Sequence, residues 1–252
     1  MTPPPPAAAP NHRRSTTRAA KLLARIRARY DVITEPLTIG PVRVEFTRVV
    51  DADKVLDDVA AAIDRRERLT GVREDDVQHL PYWAELWDSA FGVSQRLVDR
   101  SVDWGLGGGP RVLDLGCGMG LTGLVAATLG AGRVVLADLE PPSLLFASYN
   151  CRRFADRCHP RRVNWQTDDL GERFDLILGA DILYDRTQWP FLERFWRNHL
   201  GACGAVLLGE PGRQTGDAFV EWIAARGWRL VRVDVPVTGR TRPIRIFELA
   251  RD

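Results

Sequence analysis

The sequence predicts an α/β protein built around a mostly parallel sheet, and three observations predict it. Arg111–Gly123, RVLDLGCGMGLTG, reads as a buried strand that breaks into glycines and resumes as an apolar helix. From there to about residue 226, strand-like and helix-like runs alternate, as in a parallel sheet covered on both faces. The chain then ends on two strand-like runs, Trp228–Val235 and Arg242–Leu249, with no helix between them, which makes an antiparallel terminal pair.

Taken in order, residues 1–17 are rich in proline and alanine, then basic, and read as a disordered tail. Thr17–Tyr30 suits a basic helix with Leu22, Leu23 and Ile26 on one side. Val32–Leu37 and Val42–Val49 are rich in β-branched residues around an Ile39-Gly40-Pro41 turn, which predicts a hairpin. Asp51–Arg68 reads as a helix capped by Asp51 or Asp53, its apolar face formed by Val55, Leu56, Val59, Ala60 and Ile63. Thr70–Leu80 is polar and acidic, a loop. Pro81 suits the first turn of a helix through Asp99, with Trp83, Trp87, Ala90 and Phe91 at helical spacing. Beyond the glycines, strands are expected at Arg133–Ala137, Arg162–Gln166, Phe174–Leu178 and Ala205–Leu208. Helices are expected at Pro142–Phe154, Thr187–Leu200 and Thr215–Arg226. The organisation is therefore a tail (1–17), an N-terminal helix, hairpin and helix (18–80), and a core (81–252).

At 252 residues the chain can bury a substantial single core. No apolar run reaches the ~18 residues needed to span a membrane, and the N-terminus has no apolar centre of a secretory signal. A cytoplasmic location is expected. Cys117, Cys151, Cys158 and Cys203 show no CxxC spacing and are expected to be reduced thiols; His12, His79, His159 and His199 are scattered, so no metal site is expected. The net charge of +2 conceals an asymmetry. Residues 1–30 hold seven Lys or Arg and no acid, which leaves the rest of the chain at −5. A solvated, disordered tail is the first reading of this asymmetry; an anionic partner, nucleic acid included, is the less favoured one.

The glycine loop admits two readings. Gly118–Gly123 satisfies GxGxxG, with Asp138 about 20 residues beyond, as in dinucleotide-binding proteins. However, Asp114 stands at the strand end and no basic residue lies within the loop. A carboxylate there repels a pyrophosphate and suits a cationic or amino-bearing ligand. Only ~140 residues follow, too few for the second mononucleotide half and catalytic domain of a dehydrogenase. The pattern Asp114-x-Gly116-x-Gly118-x-Gly120 before a helix resembles the first motif of the seven-strand methyltransferases that bind S-adenosylmethionine. The resemblance covers roughly Pro81–Asp252. It implies a Rossmann-like seven-stranded sheet whose last strand is antiparallel, with S-adenosyl-L-methionine as cofactor.

Further segments resemble one branch of that group, the protein-lysine methyltransferases called methyltransferase family 16. ADILYD, Ala180–Asp185, is similar to its Asp-x-x-Tyr motif, and PYWAELWDSA to its helix carrying a cofactor-contacting tryptophan, here Trp87. Gly209-Glu210-Pro211-Gly212-Arg213 resembles a Gly-Asp-Pro-x-Arg segment of bacterial relatives of the electron-transfer-flavoprotein β-subunit lysine methyltransferase; a plain Pro-Gly turn explains it equally well. The resemblance implies that Asp114, Gly116, Cys117, Gly118 and Gly120 surround the amino-acid end of the cofactor, and that Asp138 binds its ribose. Asp169-Leu170 stands in for the family's Asp-Trp pair at the adenine, and Ala180 lets the cofactor pass. Asp181 would position the acceptor amine and Tyr184 shape its channel. A protein lysine is the acceptor implied; a small-molecule amine, RNA or a non-catalytic cofactor-binding regulator are the alternatives.

Overall fold

The computed structural model describes residues 12–71 and 80–251; most of the expected tail, His79 and most of the Thr70–Leu80 loop lie outside the described residues. Helix α1 spans His12–Arg27, so it begins inside the segment read as tail. Arginine and alanine are strong helix formers, and Ile26 at its far end is fully buried, anchoring the helix to the body. A hairpin follows, β1 (Val32–Ile39) and β2 (Val42–Val49), paired in register from Val32↔Val49 to Ile39↔Val42 across a Gly40-Pro41 turn. Helix α2 (Ala52–Thr70) is capped by Asp51, whose side chain accepts from the Lys54 N–H; none of its residues is fully buried, so its apolar face is only half covered.

The helix expected from Pro81 is interrupted. Tyr82–Ala84 form a single 3-10 turn, the chain runs extended through Glu85–Trp87, and helix α3 occupies Asp88–Asp99. The cause is local. The Tyr82 carbonyl accepts from the Glu85 N–H and from the Trp87 indole N–H at 2.9 Å, which closes the turn before an α-helical bond can form.

The sheet contains β3 (Arg111–Leu115), β4 (Arg133–Asp138), β5 (Cys158–Arg162), β6 (Phe174–Ala180), β7 (Leu200–Glu210), β8 (Trp228–Val235) and β9 (Ile244–Arg251). Their order is β5-β4-β3-β6-β7-β9-β8; β9 runs antiparallel to both neighbours and the remaining pairs are parallel. Helices α4 (Leu121–Thr128) and α5 (Pro141–Asn150) join α3 on one face; α6 (Trp189–His199) and α7 (Gln214–Ala224) cover the other. The hairpin and α1 share the first of these cores through Ile26, Val44 and Phe46, so the N-terminal extension packs as part of the body.

Strand β5 ends four residues before the expected strand does. CHPRR contains a proline and two arginines and does not read as a strand. It forms one because it lies at the sheet edge, bonded on one side only to β4, where a missing N–H and solvated charges are tolerated. The strand's carboxyl end therefore falls at Arg162, and Val163-Asn164-Trp165 are the residues that cross the top of the sheet.

Asn150, at the end of α5, ties three parts together. Its Oδ1 accepts from the Thr47 N–H (2.8 Å), and its amide donates to the carbonyls of Thr47 (3.0 Å) and Met119 (2.9 Å). Hairpin, helix and glycine loop thus meet at one buried side chain. Asn150→Ala should strand three buried backbone groups and cost about 2–4 kcal/mol, a fall of roughly 5–12 °C in melting temperature. Thermal denaturation showing a change within 1 °C would contradict this bridge.

Candidate active site

The carboxyl ends of β3, β4, β5 and β6 lie side by side, and the loops leaving them line one cavity. Gly116 (φ +66°) and Gly118 (φ +52°) form its floor. Both need the left-handed region, and a Cβ on Gly116 would meet Ile182 Cγ2 at 2.8 Å. Asp138 closes β4 at the cavity wall. Its Oδ2 accepts from the Gly118 N–H (2.9 Å) and its Oδ1 from the Glu140 N–H (3.0 Å), so the second strand's acid fixes the first strand's loop. Burial pushes its carboxyl above the usual range, and those N–H bonds oppose the rise.

Asn164 and Trp165 supply the wall beyond β5. The indole N–H donates to the Gln188 side-chain oxygen (3.1 Å), which orients the ring toward Gly116. Tyr82, Trp83 and Trp87 close the cavity from the segment before α3. From the end of β6 come Ala180, Asp181, Ile182 and Tyr184. Among the described residues Asp181 is the non-glycine with positive φ (+57°), a conformation aspartate tolerates better than most residues. Its N–H donates to the Gly209 carbonyl (2.9 Å). Ile182 and Leu183 are buried, and Asp185 caps the next turn by accepting from the Thr187 N–H, so the segment is held on both sides of the exposed Tyr184. The Tyr184 ring is 43% exposed and lies 5.8 Å from that of Tyr82.

A second cleft opens beyond Asp181, between α2 and the loop after β7. Ala52, Leu56, Pro211, Arg213 and Arg240 line it. Tyr82, Glu85, Trp87 and Asp181 line both spaces and form the mouth between them. Arg213 donates to Asp181 Oδ2 at 2.7 Å and lies over the Trp87 ring at 5.9 Å. Burial raises the Asp181 carboxyl; Arg213 is the main opposing influence.

The structure brings Trp87, Gly116, Gly118, Asp138, Ala180, Asp181 and Tyr184 together at this cavity. Five other expected residues are elsewhere. Asp114 is 1% exposed and turned into the sheet, where it accepts from the Thr122 hydroxyl (2.6 Å) and the Gly123 N–H (2.8 Å). It secures the start of α4 and does not face the cavity. Cys117 is buried with its Sγ near the Gly118 carbonyl, and Gly120 packs on Ala147 of α5. Asp169 and Leu170 do not line it: Asp169 accepts from the Gly171 N–H, and the Leu170 N–H donates to His199 Nε2. Strand β5 ends early, at Arg162, and Asn164 and Trp165 line the cavity instead. Sequence reasoning also missed Tyr82, Glu85, Glu140 and Arg213. An Asn-Trp pair after an edge strand was the available signal for the first omission; the pairing of Arg213 with Asp181 leaves none.

The lining suits a cationic ligand with a flat ring. Glu85, Asp138, Glu140, Asp181 and Asp185 face it, and no lysine or arginine lines it among the described residues. The glycine cradle admits a ligand close to backbone, and indoles and phenols flank it. A pyrophosphate would meet carboxylates on every side.

The profile of the lysine methyltransferase family matches residues 73–224. The electron transfer flavoprotein beta subunit lysine methyltransferase of Mus musculus is 31% identical over 134 residues, which is 53% of this chain and 51% of that protein. Protein N-lysine methyltransferase METTL21A of Danio rerio is 36% identical over 141 residues, 53% of this chain and 62% of that protein. The chain thus spans about half the length of the curated relatives it matches. Among solved structures, the glycopeptide N-methyltransferase MtfA complexed with S-adenosyl-L-homocysteine superimposes with a TM-score of 0.56, covering 72% of this chain and 99% of that one at 16% identity, a likeness of fold.

Burial pushes the Asp114 carboxyl from the ordinary 3.8 up to about 6, against its bonds from Thr122 and Gly123. An acid raised on folding contributes stability that is complete below its unfolded value and is lost as pH rises through its folded value. Stability from Asp114 should therefore decline between about pH 4 and 6. Asp114→Asn can still accept from Gly123 and donate to the Thr122 hydroxyl. Melting curves should show wild type losing on the order of 2 kcal/mol relative to this variant over that interval. Parallel curves for the two proteins would contradict the burial of a charge there.

Proposed function

As the chain belongs to the lysine methyltransferase family, we propose that it transfers a methyl group from S-adenosylmethionine to a lysine side chain of a protein substrate. The observation that carries this reading is the cavity at the strand ends, acidic and aromatic without a basic side chain among the described residues. The bound sulfonium supplies an electrophilic methyl carbon. The chain's own task is to hold that ligand, bring an amine into line and keep water out.

Gly116 and Gly118 bring backbone to the amino-acid end. Asp138 uses one lone pair on each oxygen for Gly118 and Glu140, and an ionised carboxylate has about four such sites, so acceptor capacity remains for a ribose diol. Trp165 offers its face to the purine, in the role first expected of Asp169-Leu170. On the acceptor side, Asp181 accepts a hydrogen bond from the incoming amine. Tyr82 and Trp87 at the mouth and Tyr184 in the cavity wall displace solvent from the approach. Dehydration disfavours the ammonium over the neutral amine, the form that can attack.

Incubating the protein with radiolabelled S-adenosylmethionine in a fractionated host lysate tests the acceptor class. Label should enter a protein band, survive nuclease and appear as methyl-lysine on hydrolysis; label confined to RNA or to small molecules would overturn the assignment. In calorimetry with S-adenosylhomocysteine, Asp138→Ala and Trp165→Ala should each weaken binding about tenfold or more, the loss of roughly 1.5–3 kcal/mol. Asp181→Asn and Tyr184→Phe should instead lower turnover while leaving that affinity within a few-fold. Loss of cofactor binding in either of the latter variants would remove Asp181 and Tyr184 from the acceptor side.

A further inference from the structure

A lysine acceptor presents the mouth with a contradiction. The amine needs a hydrogen-bond partner to be aimed, and it must also release its proton to water before its lone pair can form the new N–C bond, as the S–C bond breaks with its electrons left on sulfur. A lone carboxylate within about 4–6 Å serves the first need and opposes the second, because an opposite charge favours the ammonium. Asp181 is not alone. Arg213 Nη2 donates to its Oδ2 at 2.7 Å, and the carboxylate's side chain is only 6% exposed, so the pair is little screened on that side.

The pairing is built rather than incidental. Glu210, at the end of β7, is buried and accepts from the backbone N–H groups of Gly212 (3.0 Å) and Arg213. Arg245 of β9 donates to Glu210 (2.6 Å) and to the Arg213 carbonyl (2.6 Å), and also pairs with Asp217 of α7. A Cβ on Gly216 would lie 2.6 Å from the Glu210 carboxylate, so α7 begins against this group. Two strands and a helix therefore fix the backbone of the residue whose guanidinium reaches Asp181.

We propose that Arg213 is a positioning residue for the transfer: it holds Asp181 in a charge-neutral pair at the mouth between cavity and cleft, so that the acceptor amine meets a hydrogen-bond acceptor without meeting net negative charge. This rests on the methyl-transfer reading above. The other charged and titratable groups near Asp181 leave the pair intact. Glu210 is held by Arg245 and the loop N–H groups, and Arg240 is paired with Asp88 at 2.9 Å. Glu85 is exposed, so solvent screens it, and Tyr82 and Tyr184 supply phenols.

The test uses the full chain carrying 13C-labelled aspartate, with the Asp181 carboxyl assigned by its absence in Asp181→Asn. Without the guanidinium, Asp181 either keeps its proton to higher pH or stays charged and holds the acceptor's proton; both displace activity toward alkaline pH. In Arg213→Gln the Asp181 midpoint should rise by about one pH unit or more, and Arg213→Lys should restore most of the difference. Labelling of the lysate acceptor by Arg213→Gln should fall about tenfold at pH 7 and recover to within a few-fold of wild type near pH 9. An unchanged Asp181 midpoint in a folded Arg213→Gln protein, or a loss of labelling equal at every pH, would overturn the proposal. Failure of wild type to bind S-adenosylhomocysteine or label any acceptor would instead overturn the methyl-transfer reading, and the carboxyl titration would still report whether the pair exists.

Discussion

The loop from Gly116 to Gly120 turns within a few residues, and it is placed by bonds from outside itself. The Cys117 N–H donates to the Ala137 carbonyl of β4, and the Gly118 N–H to Asp138. The Met119 carbonyl is held by Asn150 of α5, and Gly120 packs on Ala147 one turn earlier in the same helix. Asp114 fixes the start of the helix that follows. Glycine lets the chain adopt these positive φ angles but increases the entropy lost on ordering, so such a loop is rigid only where neighbours hold it. Part of the cavity takes its geometry from this arrangement, because Ile182, Trp165 and the Trp83 carbonyl all approach within 4 Å of where a Cβ on Gly116 or Gly118 would stand.

The carboxylates of the molecule divide by what surrounds them. Asp114, buried against the Thr122 hydroxyl and the Gly123 N–H, serves the start of α4. Glu210, equally buried, is matched by Arg245. Asp181 stands between these cases: enclosed by protein, paired once, and facing a space that a ligand can enter. A buried ion pair is weak evidence for stability, since desolvation offsets attraction. The value of the Glu210–Arg245 pair lies in the direction it gives to the Pro211–Arg213 loop.

Much of this was legible in the sequence, and the reasons for the rest are specific. The alternation of strands and helices, the antiparallel terminal pair and the hairpin turn follow from periodicity, and the cluster around Asp181 and Tyr184 from a motif local to one strand end. Strand β5 was misplaced because edge strands need little apolar character, so CHPRR carried no signal and RVNWQ carried a false one. That single shift hid Trp165 and promoted Asp169-Leu170. The spacing of Trp83, Trp87, Ala90 and Phe91 fits a continuous helix, and the Trp87 indole's hydrogen bond to the Tyr82 carbonyl interrupts it. Asp114 faces inward because α4 offers it two donors, a competition that a strand-end motif does not reveal. Arg213 meets Asp181 across 32 residues that hold helix α6 and strand β7, a relation only tertiary structure creates.

The proposed place of Trp165 would couple ligand contact to the local order of strand β5. It is held to the sheet on one side, contains Pro160, and exposes both of its arginines. Such an edge is where amide hydrogens exchange by opening of a few residues, without the whole domain unfolding. Trp165 stands three residues past its end, so fraying that frees β5 from β4 loosens the backbone that carries the indole and leaves its bond to Gln188 as the remaining tether. In the proposed function, a ligand stacked on that ring would oppose this fraying as it binds.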